Sequence, residues 1–413
     1  MDISGLRVNG QRLQDSLEQM AKIGATPGGG VQRLTLSDED KHARDLFISW
    51  LKEIDLEVTV DEMGNIFGRR PGKNNDLPPV FSGSHIDSQP KGGRFDGILG
   101  VMGALEVMRT LHDNDIETER PVLIVDWTNE EGSRFSPAMV ASGVWAGKLD
   151  RDYAYSRTDK DGKVFGEELE RIGYKGTVPA KAWPFHAYYE LHIEQGPILE
   201  REGKTIGIPK GILCLHWYDV YLEGKANQVG PTPMEGRNDA LVAAAEMILA
   251  VQSVPGRVGG NLVATVGEIQ NYPNSRNIIP DGVHFTVDIR SWDDDLAIQA
   301  WEQLKLDFQA AADKNGCPMR LEETWRVEHT PFAQKLVDFL AQKADALGYS
   351  AHHMVSGAGH DASYMNMLGD AAMIFIPSIG GRSHVEVENS TWEDCTAGAN
   401  ALLHCMLESA NEV

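Results

Sequence analysis

Cysteine is scarce in this chain. Four of its 413 residues are cysteine, at positions 214, 317, 395 and 405, and none forms a Cys-x-x-Cys pair. Spacing that wide indicates neither a disulfide framework nor a thiolate zinc finger. Positive charge is also short: 38 Lys and Arg stand against 61 Asp and Glu, for a net charge of −23. So acidic a surface argues against nucleic acid and anionic membranes as partners, but it does not oppose metal cations. The start, MDISGLRVNGQRL, lacks an apolar signal region. No stretch reads as a membrane-spanning apolar run, and repeats and low-complexity tracts are missing. The expectation is a cytoplasmic enzyme or binding protein. Its length suits two domains, or one large domain carrying an insertion.

The N-terminal half alternates strand-like and helix-like patterns. "SDEDKHARDLFISWLKEIDL" begins with Ser37 as a helix cap, after which Phe47, Trp50 and Leu51 recur at helical spacing. "PPVFSGSH", "PVLIVDWTN" and "HAYYELHIEQG" read as strands, and "ILGVMGALEVMRTLHDN" as an apolar helix between the first two. This alternation predicts an α/β fold: a mixed, largely parallel sheet with helices on both faces. Residues 211–328 change character. "LHWYDVYLEGKA", "NLVATVGEIQNYP" and "GVHFTVDIRSWD" alternate like half-exposed strands, with two helices interleaved. The expectation is an inserted α+β domain over 211–328, splitting a main domain of 1–210 and 329–413.

The chemistry-bearing residues gather at expected strand ends. His85, Asp87 and Asp96 lie in "GSHIDSQPKGGRFDG", Glu130 and Glu131 close "VLIVDWTNEEG", His192 sits in "ELHIEQG" and His384 in "GGRSHVEVE". Open α/β sheets bind ligands at the carboxyl ends of their strands. Each residue alone is equally well read as a satisfied polar group at a sheet edge; together they suit Zn²⁺, Mn²⁺, Co²⁺ or Ni²⁺. The set is larger than one ion needs, and two ions ~3.5–4 Å apart would use all of it.

The segments "GSHIDSQPKGGRFDG", "WTNEEGSRFSPAMVASGVWAG", "HIEQGPILE", "PNSRNIIPDGVHFTVDIRS", "SGAGHDA" and "GGRSHVEVE" together resemble the hydantoinase/carbamoylase family. That family belongs to the dinuclear aminoacylase/carboxypeptidase superfamily. Its members include N-carbamoyl-L-amino-acid hydrolases, β-ureidopropionases and allantoate amidohydrolases. The resemblance runs from near residue 7 to the C-terminal helix. It implies a two-metal catalytic domain and an inserted lid that also forms a homodimer. By the resemblance His85, Asp96 and His192 would hold one ion, and Asp96, Glu131 and His384 the other, with Asp96 bridging. Asp87 would fix the tautomer of His85, and Glu130 would be the general base. Arg290 and Asn277 would bind the substrate carboxylate, while Gln195 and the backbone at Gly359 would contact the ureido group. His360 and His216 would border the substrate. The implied substrate is a small N-carbamoyl or ureido acid: an N-carbamoyl-L-amino acid, or alternatively allantoate, a related ureido acid or N-carbamoyl-β-alanine.

One position departs from the pattern. The family carries a histidine in a segment like "AxHxGxTPM", reaching the neighbouring subunit's site to stabilise an oxyanion; here "ANQVGPTPM" places Gln228 there. Glutamine donates a hydrogen bond but cannot become cationic. Three expectations follow: an adequate neutral donor, a substrate needing another contact, or a slow enzyme. A remote further reading is a non-catalytic binding homologue.

Overall fold

Ser37 caps the helix Asp38–Glu53 by accepting the Asp40 N–H, with three acidic residues in the first turn and Phe47, Trp50 and Leu51 on the buried face. The computed structural model describes residues 4–412. It contains two compact units: Met1–Gly211 with Pro331–Val413, and Ile212–Thr330. The transitions fall one residue later than expected from sequence at the first boundary and two later at the second.

The first unit is built on a nine-stranded sheet. At its centre Val122–Asp126, Val80–Ser84, Ala187–Ile193 and Ala371–Ile376 lie side by side and parallel. All four strands are buried along their whole length, which is why they read as apolar runs rather than alternating ones. Antiparallel neighbours complete the sheet, Ile66–Arg70 among them. The helix Ile98–Asp113 is buried over fourteen consecutive residues, Ile98 to Leu111, and Trp392–Ser409 packs beside it. Two glycines allow the close approach: a Cβ at Gly100 would stand 2.4 Å from the Leu191 carbonyl oxygen, and one at Gly83 would stand 2.0 Å from that of Val125.

The second unit is a five-stranded antiparallel sheet covered by the helices Ala240–Val258 and Asp294–Asn315. Phe285, Val287 and Ile289 alternate into its core, where Met247, Val251, Leu304 and Phe308 meet them. Two details differ from the sequence expectation. "NLVATVGEIQNYP" is two strands, Val263–Thr265 and Ile269–Tyr272, both paired with Gly282–Ser291. Between them Thr286 bridges the break, its N–H donating to the Glu268 carbonyl and its hydroxyl accepting the Glu268 N–H. And Ala240–Val258 is, by length and composition, apolar enough to cross a membrane. Its buried residues 240, 243, 244, 247, 251 and 254 form one helical seam against this unit's sheet. Six of its 19 residues thus serve a core face, while Leu241, Val242 and Leu249 are exposed.

Candidate metal centre

Every element of the expected centre lies in the first unit. His85 and Asp87 follow the strand Val80–Ser84, and Asp96 precedes the helix Ile98–Asp113. Glu130 and Glu131 follow Val122–Asp126, His192 ends Ala187–Ile193, and His384 follows Ala371–Ile376 beyond a short 3₁₀ turn. All these strands are parallel, so their carboxyl ends share one rim. Left-handed backbone conformations set the direction of the connecting turns: Asn129, Gln195 and His384 have φ of 62°, 60° and 57°. Non-glycine residues adopt such angles at a cost of about 1–3 kcal/mol.

Asp96 is the hub. Its Oδ1 lies 3.2 Å from His192 Nε2 and 3.8 Å from His85 Nε2. Its Oδ2 lies 3.1 Å from His384 Nε2 and accepts hydrogen bonds from Gln195 Nε2 (2.9 Å) and the Ser383 hydroxyl (3.1 Å). Glu131 Oε2 stands 3.5 Å from His384 Nε2 and accepts from Gln89 Nε2 at 2.6 Å. Two donor groups result, His85–Asp96–His192 and Asp96–Glu131–His384, each with its ligand atoms within 4.8 Å of one another. The single carboxylate they share turns one oxygen to each.

Backbone carbonyls orient the imidazoles. His85 Nδ1 is 2.8 Å from the Asp87 carbonyl oxygen, and His192 Nδ1 is 2.9 Å from that of Ile193. Donation from Nδ1–H leaves the Nε2 lone pair facing the cluster, the arrangement a metal-binding histidine requires. The Asp87 carboxylate does something other than expected. Its Oδ1 is 3.9 Å from His85 Nδ1. Instead it accepts the N–H groups of Glu130 (3.2 Å) and Glu131 (3.3 Å). Asp87 therefore anchors the acidic turn, and its main chain, rather than its side chain, sets the His85 tautomer. The glutamate pair is itself in a turn beyond the strand, so strand alternation does not separate the two side chains. Geometry does: Glu130 Oε2 lies 3.4 Å from His85 Nε2, whereas Glu131 faces His384.

The charges are poorly matched without a cation. Glu130 and Glu131 are only 7% and 8% exposed. Burial first, then the neighbouring carboxylates of Asp361, Glu131 and Asp87, push the Glu130 carboxyl well above its ordinary range. Burial also raises Glu131 to about 7 against the pull of His384. Asp96 goes the other way: burial is outweighed by hydrogen bonds and charge from His192 and His384, which hold it well below the usual carboxylate range. His384 is driven to about 10, as Glu131 and Asp96 outweigh its burial. A buried cluster this rich in carboxylates and imidazoles, with no thiolate, fits a divalent cation.

Three supporting acids escaped the sequence reading. Glu388 accepts the N–H groups of Phe95 and Asp96 and the Ser383 hydroxyl, bracing Asp96 from behind. Glu190 receives the hydroxyls of Ser84 and Tyr188 and the Ala362 N–H beneath the strand ends. Buried Asp361 accepts the Ser142 hydroxyl at 2.5 Å. Glu388 and Asp361 stand in "GGRSHVEVE" and "SGAGHDA", and Glu190 in "YYELHIEQ", so proximity to a motif was the only signal.

The chain that carries this cluster matches a known family. The model of peptidase family M20/M25/M40 matches residues 81–408. An N-carbamoyl-L-amino-acid amidohydrolase of Rhizobium meliloti is 45% identical, over 98% of both chains. The chain belongs to the hydantoinase/carbamoylase family. A crystal structure of an amidase of that family from Burkholderia vietnamiensis superposes with a TM-score of 0.97, at 50% identity over 99% of both chains. The allantoate amidohydrolase of Bacillus subtilis is 31% identical over 96% of this chain and 97% of its own length. Membership makes the protein a hydrolase of linear amide C–N bonds and gives the His/Asp/Glu cluster a place in a metal-dependent family.

The other expected residues are distributed as follows. Gln195 contacts the centre directly, its Nε2 lying 3.2 Å from the Ser383 hydroxyl and 3.3 Å from His384 Nε2 as well as bonding Asp96. His360 is buried, its ring 4.4 Å from that of His192 and its Nε2 2.9 Å from the Ser356 hydroxyl. Gly359 is half-buried beside it. Gln228, Asn277, Arg290 and His216 belong to the second unit. There Arg290 pairs with Asp288, and Gln228 Oε1 accepts the Gly230 N–H at 2.6 Å. His216 is completely buried.

Proposed function

We propose that the protein hydrolyses the carbamoyl C–N bond of N-carbamoyl-L-amino acids, yielding the amino acid, CO₂ and ammonia. The observation that supports this best is the Asp96 carboxylate divided between two ligand groups, with Glu130 on the same rim. In this reading His85, Asp96 and His192 would hold one divalent ion, and Asp96, Glu131 and His384 a second. Such ions, when bound, supply Lewis acidity that lowers the pKa of a water to about 7 and polarises a carbonyl oxygen. Glu130 takes a proton from the attacking water as oxygen bonds to the carbamoyl carbon. It then delivers that proton to the amino-acid nitrogen as its C–N bond breaks, and the carbamic acid released decomposes to CO₂ and ammonia. Asn277 and Arg290 take the substrate carboxylate, Arg290 by a bidentate grip. Gln195 and the main chain at Gly359 take the ureido group.

Two features of the second unit belong to the same reading. Leu249 and Leu306 are 63% and 68% exposed on its two helices, and Val263 is 54% exposed on a short strand. These groups are scattered, with Val263 beside Arg290 on the sheet face away from the helices, so the homodimer belongs to this reading on the family resemblance alone. Gln228, in an exposed loop, acts as a neutral donor to the developing oxyanion. If glutamine is a handicap, Gln228→His raises kcat by up to about 10²-fold, the size of one such donor's effect; an unchanged or lower kcat means the site is built around glutamine.

Allantoate, or N-carbamoyl-β-alanine, is the second reading, favoured by the allantoate amidohydrolase relative and by Gln228. Ammonia release from N-carbamoyl-L-methionine, N-carbamoyl-β-alanine and allantoate, measured with metal in excess, separates them. The highest kcat/KM belongs to the L-amino-acid derivative under the proposal. A preference for allantoate transfers the assignment to ureido acids.

A further inference from the structure

The second unit contains a cluster outside the centre just described. Cys214 and His216 stand two apart on the strand Cys214–Glu223, so their side chains share one face. Asp294 opens the helix Asp294–Asn315 directly after its cap, Asp293. A thiol sulfur, a ring nitrogen and a carboxylate oxygen from these three residues lie within 4.8 Å of one another. Cys214 and His216 are fully buried.

A second observation points to a ligand. The Nε2 of His216 has no hydrogen-bond partner among the described residues, while its Nδ1 lies 3.4 Å from the Tyr218 hydroxyl. Leaving a buried nitrogen unsatisfied costs about 1–3 kcal/mol. Behind the cluster, the His329 N–H donates to Asp294 Oδ1 at 3.0 Å and its ring Nδ1 meets Asp294 Oδ2. A metal-binding carboxylate needs such an outer partner to hold its direction.

We propose that Cys214, His216 and Asp294 form a mononuclear site for a borderline divalent cation of the Zn²⁺ or Co²⁺ class. One sulfur, one imidazole nitrogen and one carboxylate oxygen are the donors these ions prefer, with a water as the fourth ligand. Bond lengths of about 2.3 Å to sulfur and about 2.0 Å to nitrogen put tetrahedral donors about 3.5 Å apart, so small side-chain rotations close the cluster on an ion. The Cys214 thiol releases its proton to solvent as the metal–sulfur bond forms. The ion would staple the first strand of the unit to a helix and, through His329, to its last residues. Cys214 is the third residue of the unit Ile212–Thr330 and His329 the last but one.

Cobalt substitution tests this without reference to catalysis, because the ligands assigned to the first unit include no sulfur. The metal-stripped full-length protein, titrated with Co²⁺, develops a near-ultraviolet thiolate-to-cobalt charge-transfer band. Cys214→Ser abolishes the band, His216→Asn weakens or shifts it, and Cys317→Ser keeps it. The wild-type spectrum alone is decisive against the site: no charge-transfer band with Co²⁺ in excess overturns the proposal. So does a band that survives Cys214→Ser.

Discussion

In the proposed reading two adjacent glutamates carry different tasks, and the difference is measurable one residue at a time. Glu130→Gln keeps the shape and removes the proton carrier. Metal content, measured by elemental analysis, should stay unchanged while kcat falls by about 10²–10⁴-fold, the usual worth of a positioned general base. Glu131→Gln should lower metal occupancy instead, with activity recovering in part at high cation concentration. Identical behaviour of the two variants would refute the division. A second residue-scale prediction concerns the support beneath them. Arg44, Asp40 and Asp126 are all fully buried; Arg44 Nε donates to Asp40 at 2.9 Å and Nη1 lies 3.6 Å from Asp126. Asp126 Oδ1 in turn accepts the Ile86 N–H beside His85. Arg44→Met strands two buried carboxylates and should cost about 3–5 kcal/mol in denaturant unfolding. A loss below 1 kcal/mol would show that the pair contributes little.

At the scale of elements, the centre depends on how strands hand over to turns and helices. Gly97 stands between Asp96 and the helix with φ of +66°, and a Cβ there would fall 2.2 Å from the His85 ring. Its N–H also approaches His192 Nε2 at 3.2 Å. Gly97→Ala must therefore displace the imidazole or the helix start. Divalent-cation affinity, read by competition with a chromophoric chelator, should drop about 10–100-fold, as when an outer partner of a ligand is lost. Unaltered affinity would mean His85 is not held where the structure places it. This is also where sequence reading stopped short. The strands, and the gathering of acids and imidazoles at their ends, were legible because apolar runs ended in His, Asp and Glu. The turn after Asp126 was not: nothing in "WTNEEG" announces the left-handed Asn129 that takes the glutamates off the strand. Nor could spacing show that Asp87 would bind Glu130 and Glu131 through their N–H groups, 43 and 44 residues away. Glu388 is the same case, since its partners Phe95 and Asp96 lie more than 290 positions earlier.

For the whole molecule, the sheet collects acids and imidazoles from distant parts of the chain into one buried cluster with surplus negative charge. The fold class was readable because fully buried parallel strands and a half-exposed antiparallel sheet leave different apolar patterns. The strand break at residues 266–268 was not, because it rests on Thr286 from another strand. Electrostatics then predicts how the molecule responds to metal. Each ion that binds only the folded state adds stability as RT ln(1 + [M]/Kd), about 2.7 kcal/mol at a hundredfold excess over Kd. Chelation should therefore lower the melting temperature, and replacing the metal should restore it. The most direct measurement combines removal with chemistry: ammonia release from an N-carbamoyl-L-amino acid by stripped protein, before and after a divalent cation is returned. A metal-dependent hydrolase gives no release when stripped and regains turnover with Zn²⁺, Mn²⁺, Co²⁺ or Ni²⁺. Turnover that persists in stripped protein, or none from any carbamoyl or ureido acid once metal is fully restored, would contradict the proposed function.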